Sequence, residues 1–248
     1  MKFRAAIAFF TRLPVGSAPL PDSFDGVAAW LPVVGLVIGI IVGLVTGLAG
    51  LIFPPLICGL LGCLAWIVVT GGLHLDGVAD CGDGLPVAAS PERRLEIMKD
   101  SRLGTFGGIA LFLVLLCKFA CLSTLVGAAI ERGPGGLSVV LLPCCMAGVL
   151  GRAAVMRAML TPSARPGGMG ELLRTGLHSR HKWIALGIAL AVCLLNGWRG
   201  IVALLASVAA VHVLLHLVQK RLGGVTGDVF GCMVEMVECV ALLAICIR

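Results

Sequence analysis

The chain has 248 residues, of which 59% are hydrophobic and only 13% are charged, and its mean hydropathy is +1.07. A soluble domain needs about 25% charged residues to cover its surface, so this composition excludes a soluble domain. It predicts a single all-α domain over residues 1–248 that crosses a lipid bilayer several times. The net charge of +6 is typical of basic cytoplasmic loops in such a protein, and we expect no nucleic-acid binding.

The first predicted element is an amphipathic helix at the N-terminus. Phe3, Ile7 and Phe10 recur at helical spacing, and basic residues flank them. The apolar run is too short for a secretory signal peptide, and no small-residue cleavage site follows it. We therefore predict a helix that lies in the membrane interface.

Seven apolar runs follow this helix in the chain. A membrane-spanning helix needs about 20 apolar residues, and most of the runs reach that length. They lie at about residues 31–53, 56–73, 105–130, 137–160, 183–196, 200–218 and 229–247. The run at 183–196 is short, and it is either tilted or continuous with its neighbour. The sequence thus predicts about seven transmembrane helices, with six or eight as the alternatives.

Basic residues are concentrated on alternate connections between the runs. The N-terminal segment and residues 74–104, 161–182 and 219–228 hold three, four, four and two of them, which is thirteen of the 19 lysines and arginines. Basic residues accumulate on the cytoplasmic side of membrane proteins. These four segments are therefore predicted to lie together on the cytoplasmic side.

The stretch GGLHLDGVADCGDGL, at residues 71–85, interrupts the apolar runs with acidic residues. Asp76, Asp80 and Asp83 share one face if the stretch is helical. Like charges this close stay ionised together only if a cation compensates them. Oxygen ligands without His or Cys favour Mg²⁺ or Mn²⁺ over zinc. The glycines of the stretch are expected to let a bulky ligand approach the backbone. A solvated loop is the alternative, but the direct junction with an apolar run argues against it.

A second acidic group lies at the start of the last apolar run. Asp228, Glu235 and Glu238 share one helical face, because they are seven and three residues apart. Glu235 and Glu238 lie inside the apolar run, where an ionisable group is a functional candidate. Both acidic groups begin near the same membrane boundary. We therefore predict that they face one another.

Basic residues near these groups are candidates for binding phosphate. In IMKDSRLGTFGG, at residues 97–108, Lys99 and Arg102 are suited to phosphate oxygens, and the glycines begin a helix whose N-terminus favours anions. A basic membrane border is the alternative interpretation. Arg152 lies deep in an apolar run, where it is expected to meet a carboxylate or a ligand phosphate. Lys118 is isolated in another run and is expected to form a structural ion pair.

These motifs resemble those of the cobalamin (5′-phosphate) synthases, which are also called adenosylcobinamide-GDP ribazoletransferases. The resemblance rests on FFTRLPV at residues 9–15, GGLHLDGVADCGDGL, IMKDSRLGTFGG, and GGVTGDVFGCMVEMVE at residues 223–238. These stretches run from one end of the chain to the other. Within residues 151–174 the agreement is mainly at Gly151 and Arg152.

The resemblance implies a transferase of the last stage of vitamin B12 nucleotide-loop assembly. Its substrates are adenosylcobinamide-GDP and α-ribazole or α-ribazole 5′-phosphate, and a ribose hydroxyl displaces GMP with the help of Mg²⁺. The implied location is the cytoplasmic (inner) membrane of a prokaryote, with the active site facing the cytoplasm. The oligomeric state is left open, and a homo-oligomer is allowed.

The resemblance also suggests roles for particular residues. The predicted metal ligands are Asp76, Asp80, Asp83, Asp228 and Glu235. The predicted substrate-binding residues are Lys99, Arg102, Arg152 and Arg12, of which Arg12 binds either the substrate or a lipid headgroup. Asp83 and Asp100 are alternative catalytic bases for the attacking hydroxyl.

Two other classes of membrane protein are weighed against this interpretation. Phosphotransferases that use CDP-alcohols also cluster aspartates at a membrane boundary, but their DxxDGxxAR pattern is absent because no AR follows DG here. An ion-coupled transporter requires charges near the middle of the membrane. Most carboxylates of this chain lie instead at one predicted face, which favours chemistry at that face.

Overall fold

The computed structural model describes residues 2–15, 25–165, 167 and 176–247, and the regular structure in these ranges is helical apart from one isolated β-bridge. The helices are α1 (Lys2–Phe10), α2 (Leu31–Ala49), α3 (Pro55–Thr70), α4 (Leu73–Gly84), α5 (Pro91–Ile97), α6 (Thr105–Arg132), α7 (Leu137–Ala158), α8 (Ser179–Leu195), α9 (Gly197–Leu222) and α10 (Gly227–Ile245). A short 3₁₀ turn, Ala28–Trp30, precedes α2. The predicted all-α class is confirmed.

The apolar runs form α2, α3 and α6 to α10, as the hydropathy pattern indicates. Four of the described helices, α2, α6, α7 and α9, are long and apolar enough to cross a membrane, or five if α3 and α4 form one bent span. Helix α8 has only 17 residues, and α10 carries three carboxylates among its 19 residues. The chain is thus a multi-pass membrane protein, and the count of seven spans stays a prediction.

Helices α2 and α7 make the most extensive contact between any two of the described helices. Gly35 and Gly39 lie four residues apart on α2, and a Cβ on Gly35 would lie 2.1 Å from the carbonyl oxygen of Gly148. Small residues at this spacing let two membrane helices pack backbone to backbone. Helix α7 is buried along most of its length and packs against α10 on another side. Helices α7 and α10 therefore form the core of the bundle.

Three of the basic segments meet at one end of the bundle. Arg94 donates to the carbonyl of Arg221 at 3.2 Å, and Arg221 donates to the carbonyl of Leu85 at 2.7 Å. The amide of Ala164 donates to the carbonyl of Val225 at 2.9 Å. These bonds join three segments that are far apart in the chain, as the charge pattern predicts.

Helix α1 forms as predicted, but its apolar face lies partly against protein. Ile7 and Phe10 are buried, whereas Phe3 is 38% exposed and contacts the ring of Trp30, with 5.2 Å between the ring centroids. Only part of the face is therefore free to meet lipid. The interfacial position stays a prediction.

Candidate active site

The acidic helix α4 is positioned by a sharp bend in the chain. Gly71 and Gly72, between α3 and α4, have φ angles of 65° and 69°, which favour glycine. The axis of α4 turns by 96° from that of α3. With 12 residues, α4 is too short to span a bilayer, and it lies at the end of the bundle. The acidic face of α4 therefore does not continue along the axis of α3.

Arg12 covers this bend. Its side chain packs so closely on Gly71 that a Cβ there would lie 2.4 Å from the Arg12 Nε. Its backbone N–H donates to the carbonyl of Val69 at 2.7 Å. The residue is exposed, and within the described residues its guanidinium makes no ion pair. Arg12 is thus free to meet a ligand at this end of the bundle.

Helices α4 and α10 bring two distant acidic groups together. A Cβ on Gly77 would lie 2.3 Å from the backbone oxygen of Asp228, and one on Gly231 would lie 3.0 Å from the backbone oxygen of His74. Asp76 and Asp228 line the same cavity. The structure therefore places Asp228 beside the acidic face of α4.

Protein atoms occupy the positions toward which a Cβ on three glycines of α4 would point. Gly77 lies against Asp228, a Cβ on Gly82 would lie 3.0 Å from the Cα of Gly107, and one on Gly84 would lie 2.3 Å from Met98 Cγ. Because Gly77 also lines a cavity, the expectation that a ligand approaches the backbone stays a prediction, but the glycines have a packing role. They let α10, α6 and the segment after α5 pack closely against α4.

The carboxylates at this point are only partly neutralised. Burial, together with the nearby Asp228 and Asp76, raises the pKa of Asp80 to about 6, whereas Arg165 opposes the shift. Arg165 Nη1 lies 3.1 Å from Asp228 Oδ2, and its Nη2 donates to the carbonyl of Leu95 at 2.9 Å. Negative charge thus remains in excess around Asp80, which suits a bound cation.

The described residues hold no ready metal site. No group of three or more His, Cys, Asp or Glu side chains among them is arranged to hold a metal ion. The excess charge fits a metal such as Mg²⁺, which takes one or two protein carboxylates and completes its shell with water and substrate phosphate.

Asp83 has a different environment from its neighbours on α4. Its two carboxylate oxygens accept hydrogen bonds from the backbone N–H groups of Gly104 and Gly107, each at 2.7 Å. The N-terminus of α6 does bind an anion, as helix N-termini do, but the anion is Asp83. This carboxylate, predicted as a metal ligand and a base, has both oxygens engaged in joining α4 to α6.

Replacing Gly107 with alanine is expected to break this junction. A Cβ at Gly107 would lie 2.4 Å from Asp83 Oδ2, whereas a Cβ at the adjacent Gly108 would have no neighbour nearer than 3.9 Å. Gly107→Ala should therefore lower the free energy of unfolding by about 1–3 kcal/mol. The matched variant Gly108→Ala should be neutral or slightly stabilising, because alanine favours the helix. Thermal unfolding in detergent compares the two, and equal effects would contradict the proposed contact.

The KDSR segment lies directly beside Asp83, through the bond to Gly104. Arg102 Nη2 lies 2.6 Å from Asp100 Oδ2, and its Nε donates to Asp100 Oδ1 at 3.0 Å. Arg102 lowers the pKa of Asp100 to about 2, which makes this carboxylate a weak base. Lys99 is exposed and makes no ion pair within the described residues. Arg102 has to leave Asp100 before its guanidinium can hold a phosphate through both nitrogens.

A cluster of four buried charges lies deeper in the bundle. Lys118 Nζ lies 2.6 Å from Glu235 and 2.5 Å from Glu238, so the expected ion pair of Lys118 is confirmed. Arg152 donates to the other oxygen of Glu238. All four side chains are at most 3% exposed. Glu235, predicted as a metal ligand, is thus bonded to Lys118 and not to the aspartates.

Arg152 also reaches a cavity of about 310 Å³, the aspartate–arginine cavity, between α1, α4, α7 and α10. Within the described residues, Arg152 Nε and Nη2 and His74 Nδ1 are buried without hydrogen-bond partners. A buried polar group without a partner is unfavourable. The cavity is therefore suited to a ligand with anionic oxygens. Its polar lining is formed by His74, Asp76, Arg152 and Asp228, and its apolar lining includes Phe9, Phe10, Leu31 and Phe230.

Two residues of this site were missed by sequence reasoning. His74 stands in the HLDG motif, and that position was the only available signal. Arg165 lies in a basic loop, and nothing in its neighbourhood indicates that it reaches Asp228. His74 and Arg165 reach the site because helices and loops that are distant in the sequence pack together.

The fold and site define a class, a multi-pass helical membrane protein whose carboxylates and arginines meet at one end of the bundle. Residues 2–246 match the family model described as cobalamin-5-phosphate synthase, and the chain belongs to that family. It is 38% identical over 246 residues to an adenosylcobinamide-GDP ribazoletransferase of Ectopseudomonas mendocina (strain ymp), covering 98% of this chain and 97% of that protein. It is 39% identical over 250 residues to one of Pseudomonas entomophila (strain L48), covering 99% and 98%. No solved structure matches the chain significantly.

Proposed function

We propose that this protein joins adenosylcobinamide-GDP to α-ribazole or α-ribazole 5′-phosphate and releases GMP. A ribose hydroxyl forms a new bond to the phosphorus attached to cobinamide, the anhydride bond to GMP breaks, and the hydroxyl gives up its proton. The observation that carries the proposal is the aspartate–arginine cavity, which is lined by Asp76, Asp228 and Arg152, and within the described residues two nitrogens of Arg152 have no hydrogen-bond partner. Phosphoryl transfer depends mainly on such positioning and charge stabilisation.

We propose that Mg²⁺ is held by one or two of Asp76, Asp80 and Asp228, with water and substrate phosphate completing its shell. These carboxylates lie close together, and among the described residues Arg165 is the cation that offsets them. The metal would neutralise charge on the pyrophosphate and stabilise the leaving GMP. Asp83 and Glu235 are left out of the set, because each is engaged by other groups of the protein.

The size of the cavity indicates which of the two substrates it can enclose. About 310 Å³ is at the low end of small-molecule pockets, which run from about 300 to 1,000 Å³. The cavity thus suits the aromatic ribazole, with its ribose or phosphate oxygens at Arg152. The larger corrinoid remains outside, where Arg12, Lys99 and Arg102 are exposed and can bind its diphosphate.

The proposed reaction is tested with purified protein in detergent, adenosylcobinamide-GDP and α-ribazole 5′-phosphate, with release of GMP as the readout. GMP and a corrinoid product should form in equal amounts with Mg²⁺ and should stop in excess EDTA. Unchanged turnover in EDTA would remove the metal assignment. Turnover of a CDP-alcohol, or ion transport by proteoliposomes without GMP release, would favour one of the other two classes.

We further propose that the site faces the cytoplasm of a bacterial inner membrane, because the basic segments and the acidic site lie at the same end of the bundle. A cysteine introduced at Arg93, beside the site, should be protected from a membrane-impermeant thiol reagent in intact cells. A cysteine at Arg132, at the opposite end of α6, should be labelled. The wild-type chain, with its own cysteines, gives the background. Labelling at 93 but not at 132 would invert the orientation.

A further inference from the structure

A second cavity lies between α7, α8 and α9 and encloses about 300 Å³. We call it the α7–α9 cavity. Its walls are almost entirely apolar and include Leu150, Ala154, Ala189, Leu204 and Val208. Val208 is 46% exposed and the neighbouring Leu186 is 50% exposed, so the cavity opens on the lipid-facing side of these helices. The proposed transferase reaction does not use it.

One end of the α7–α9 cavity is basic. Arg157 is in the last turn of α7 and Lys182 is in the first turn of α8, so both line the cavity at the same end of the bundle. Within the described residues neither side chain forms an ion pair or a hydrogen bond. Two unpaired cations beside an apolar wall match a ligand with an anionic head and an apolar chain.

A buried hydroxyl gives a second, independent indication of a ligand. Ser207 lines the cavity and is only 4% exposed, and within the described residues its Oγ has no hydrogen-bond partner. Buried hydroxyls are normally hydrogen-bonded. With the Ser207 side chain rotated toward the cavity, an ester oxygen of a bound amphiphile would accept its hydrogen bond.

The dimensions of the cavity fit this kind of ligand. Leu150 and Arg157 are seven residues apart on α7, and Ala189 and Lys182 are seven residues apart on α8. Seven helical residues rise roughly 10 Å. The apolar wall therefore extends about two helical turns from the basic end into the bilayer, along the direction of a lipid chain.

We propose that the α7–α9 cavity binds an anionic phospholipid, with its headgroup phosphate at Arg157 and Lys182 and part of one acyl chain along the apolar wall. Free phosphate would pair with the cations but would leave the apolar wall unfilled. The same helix carries Arg152 toward the aspartate–arginine cavity. The bound lipid therefore rests on the helix that also reaches the candidate active site.

Native mass spectrometry of protein released from nanodiscs tests the proposal. The nanodiscs hold equal amounts of phosphatidylglycerol and phosphatidylcholine. The wild type should retain phosphatidylglycerol preferentially, and R157Q/K182Q should retain roughly 10- to 30-fold less of it. A189W, which fills the cavity but keeps both cations, should also lose the lipid. The control R180Q/K220Q removes the same charge outside the cavity lining and should retain phosphatidylglycerol.

Three outcomes would overturn the proposal. Equal losses in R157Q/K182Q and the control would mean that the basic surface attracts anionic lipid without a site. Full retention of phosphatidylglycerol by R157Q/K182Q would show that Arg157 and Lys182 do not bind the headgroup, whether or not A189W folds. Displacement of the lipid by millimolar inorganic phosphate would assign the site to a free anion.

Discussion

Replacing Asp80 with asparagine is expected to lower the turnover number by about 100- to 1,000-fold without lowering the thermal stability of the protein. Asp80 is half-buried on α4, and burial together with Asp228 and Asp76 raises its pKa to about 6. In the absence of a metal its ionised form therefore opposes folding at neutral pH. This cost develops as the pH rises from about 4 to about 6 and is absent at lower pH. Asparagine keeps the shape, removes the charge, and should hold or raise Tm.

The measurement pairs GMP release at saturating Mg²⁺ with thermal unfolding in the absence of metal. Glu92→Gln, on the exposed face of α5, is the control and should change neither. Asp228→Asn should raise the Mg²⁺ concentration needed for half-maximal activity. If both Tm and activity fall in Asp80→Asn, Asp80 has a structural role. If the variant keeps full activity, Asp80 is not a metal ligand.

The distribution of helices could be read from the sequence, because burial in lipid imposes long apolar runs. The direction of α4 could not. Gly71 and Gly72 indicate a break, but the 96° turn depends on left-handed φ angles and on the Arg12 side chain packed over Gly71. The burial of Ile7 was missed for a related reason. An apolar helical face has the same pattern whether it meets lipid or protein.

The same limit applies to the residues of the candidate site. Helical spacing placed Asp76, Asp80 and Asp83 on one face, and all three lie on α4. Spacing does not identify the neighbour of each side chain. Asp83 meets the first amides of α6, and Glu235 meets Lys118. Such pairings are set by the crossing of helices, which depends on small residues distributed over the whole chain.

The charges of the buried cluster cancel only when all four side chains are present. Lys118 and Arg152 carry two positive charges, and Glu235 and Glu238 carry two negative ones, all at most 3% exposed. Glu238 bonds to both cations, so it links α10 to α6 and α7. Removing one member leaves an uncompensated charge in a low-dielectric interior, which costs more than the intact pair contributes. The cluster also holds Arg152 at the wall of the aspartate–arginine cavity, and two of its nitrogens have no hydrogen-bond partner among the described residues.

Glu238→Gln is therefore expected to lower the free energy of unfolding by about 3–5 kcal/mol, because Arg152 loses its carboxylate. The double variant Arg152→Met/Glu238→Gln restores charge balance and leaves Lys118 paired with Glu235. It should recover most of the stability while activity stays low, because the cavity has lost its cation.

Glu96→Gln is the control for this loss, since it breaks an exposed pair with Arg93, whose side chains are 64% and 66% exposed. It should cost at most about 1 kcal/mol. Unfolding in detergent and GMP release are measured for all four proteins, including the wild type. If the double variant is no more stable than Glu238→Gln, the loss comes from packing around Glu238 and not from the unpaired charge. If its activity recovers together with its stability, Arg152 has only a structural role, and another group must bind the anion in the cavity.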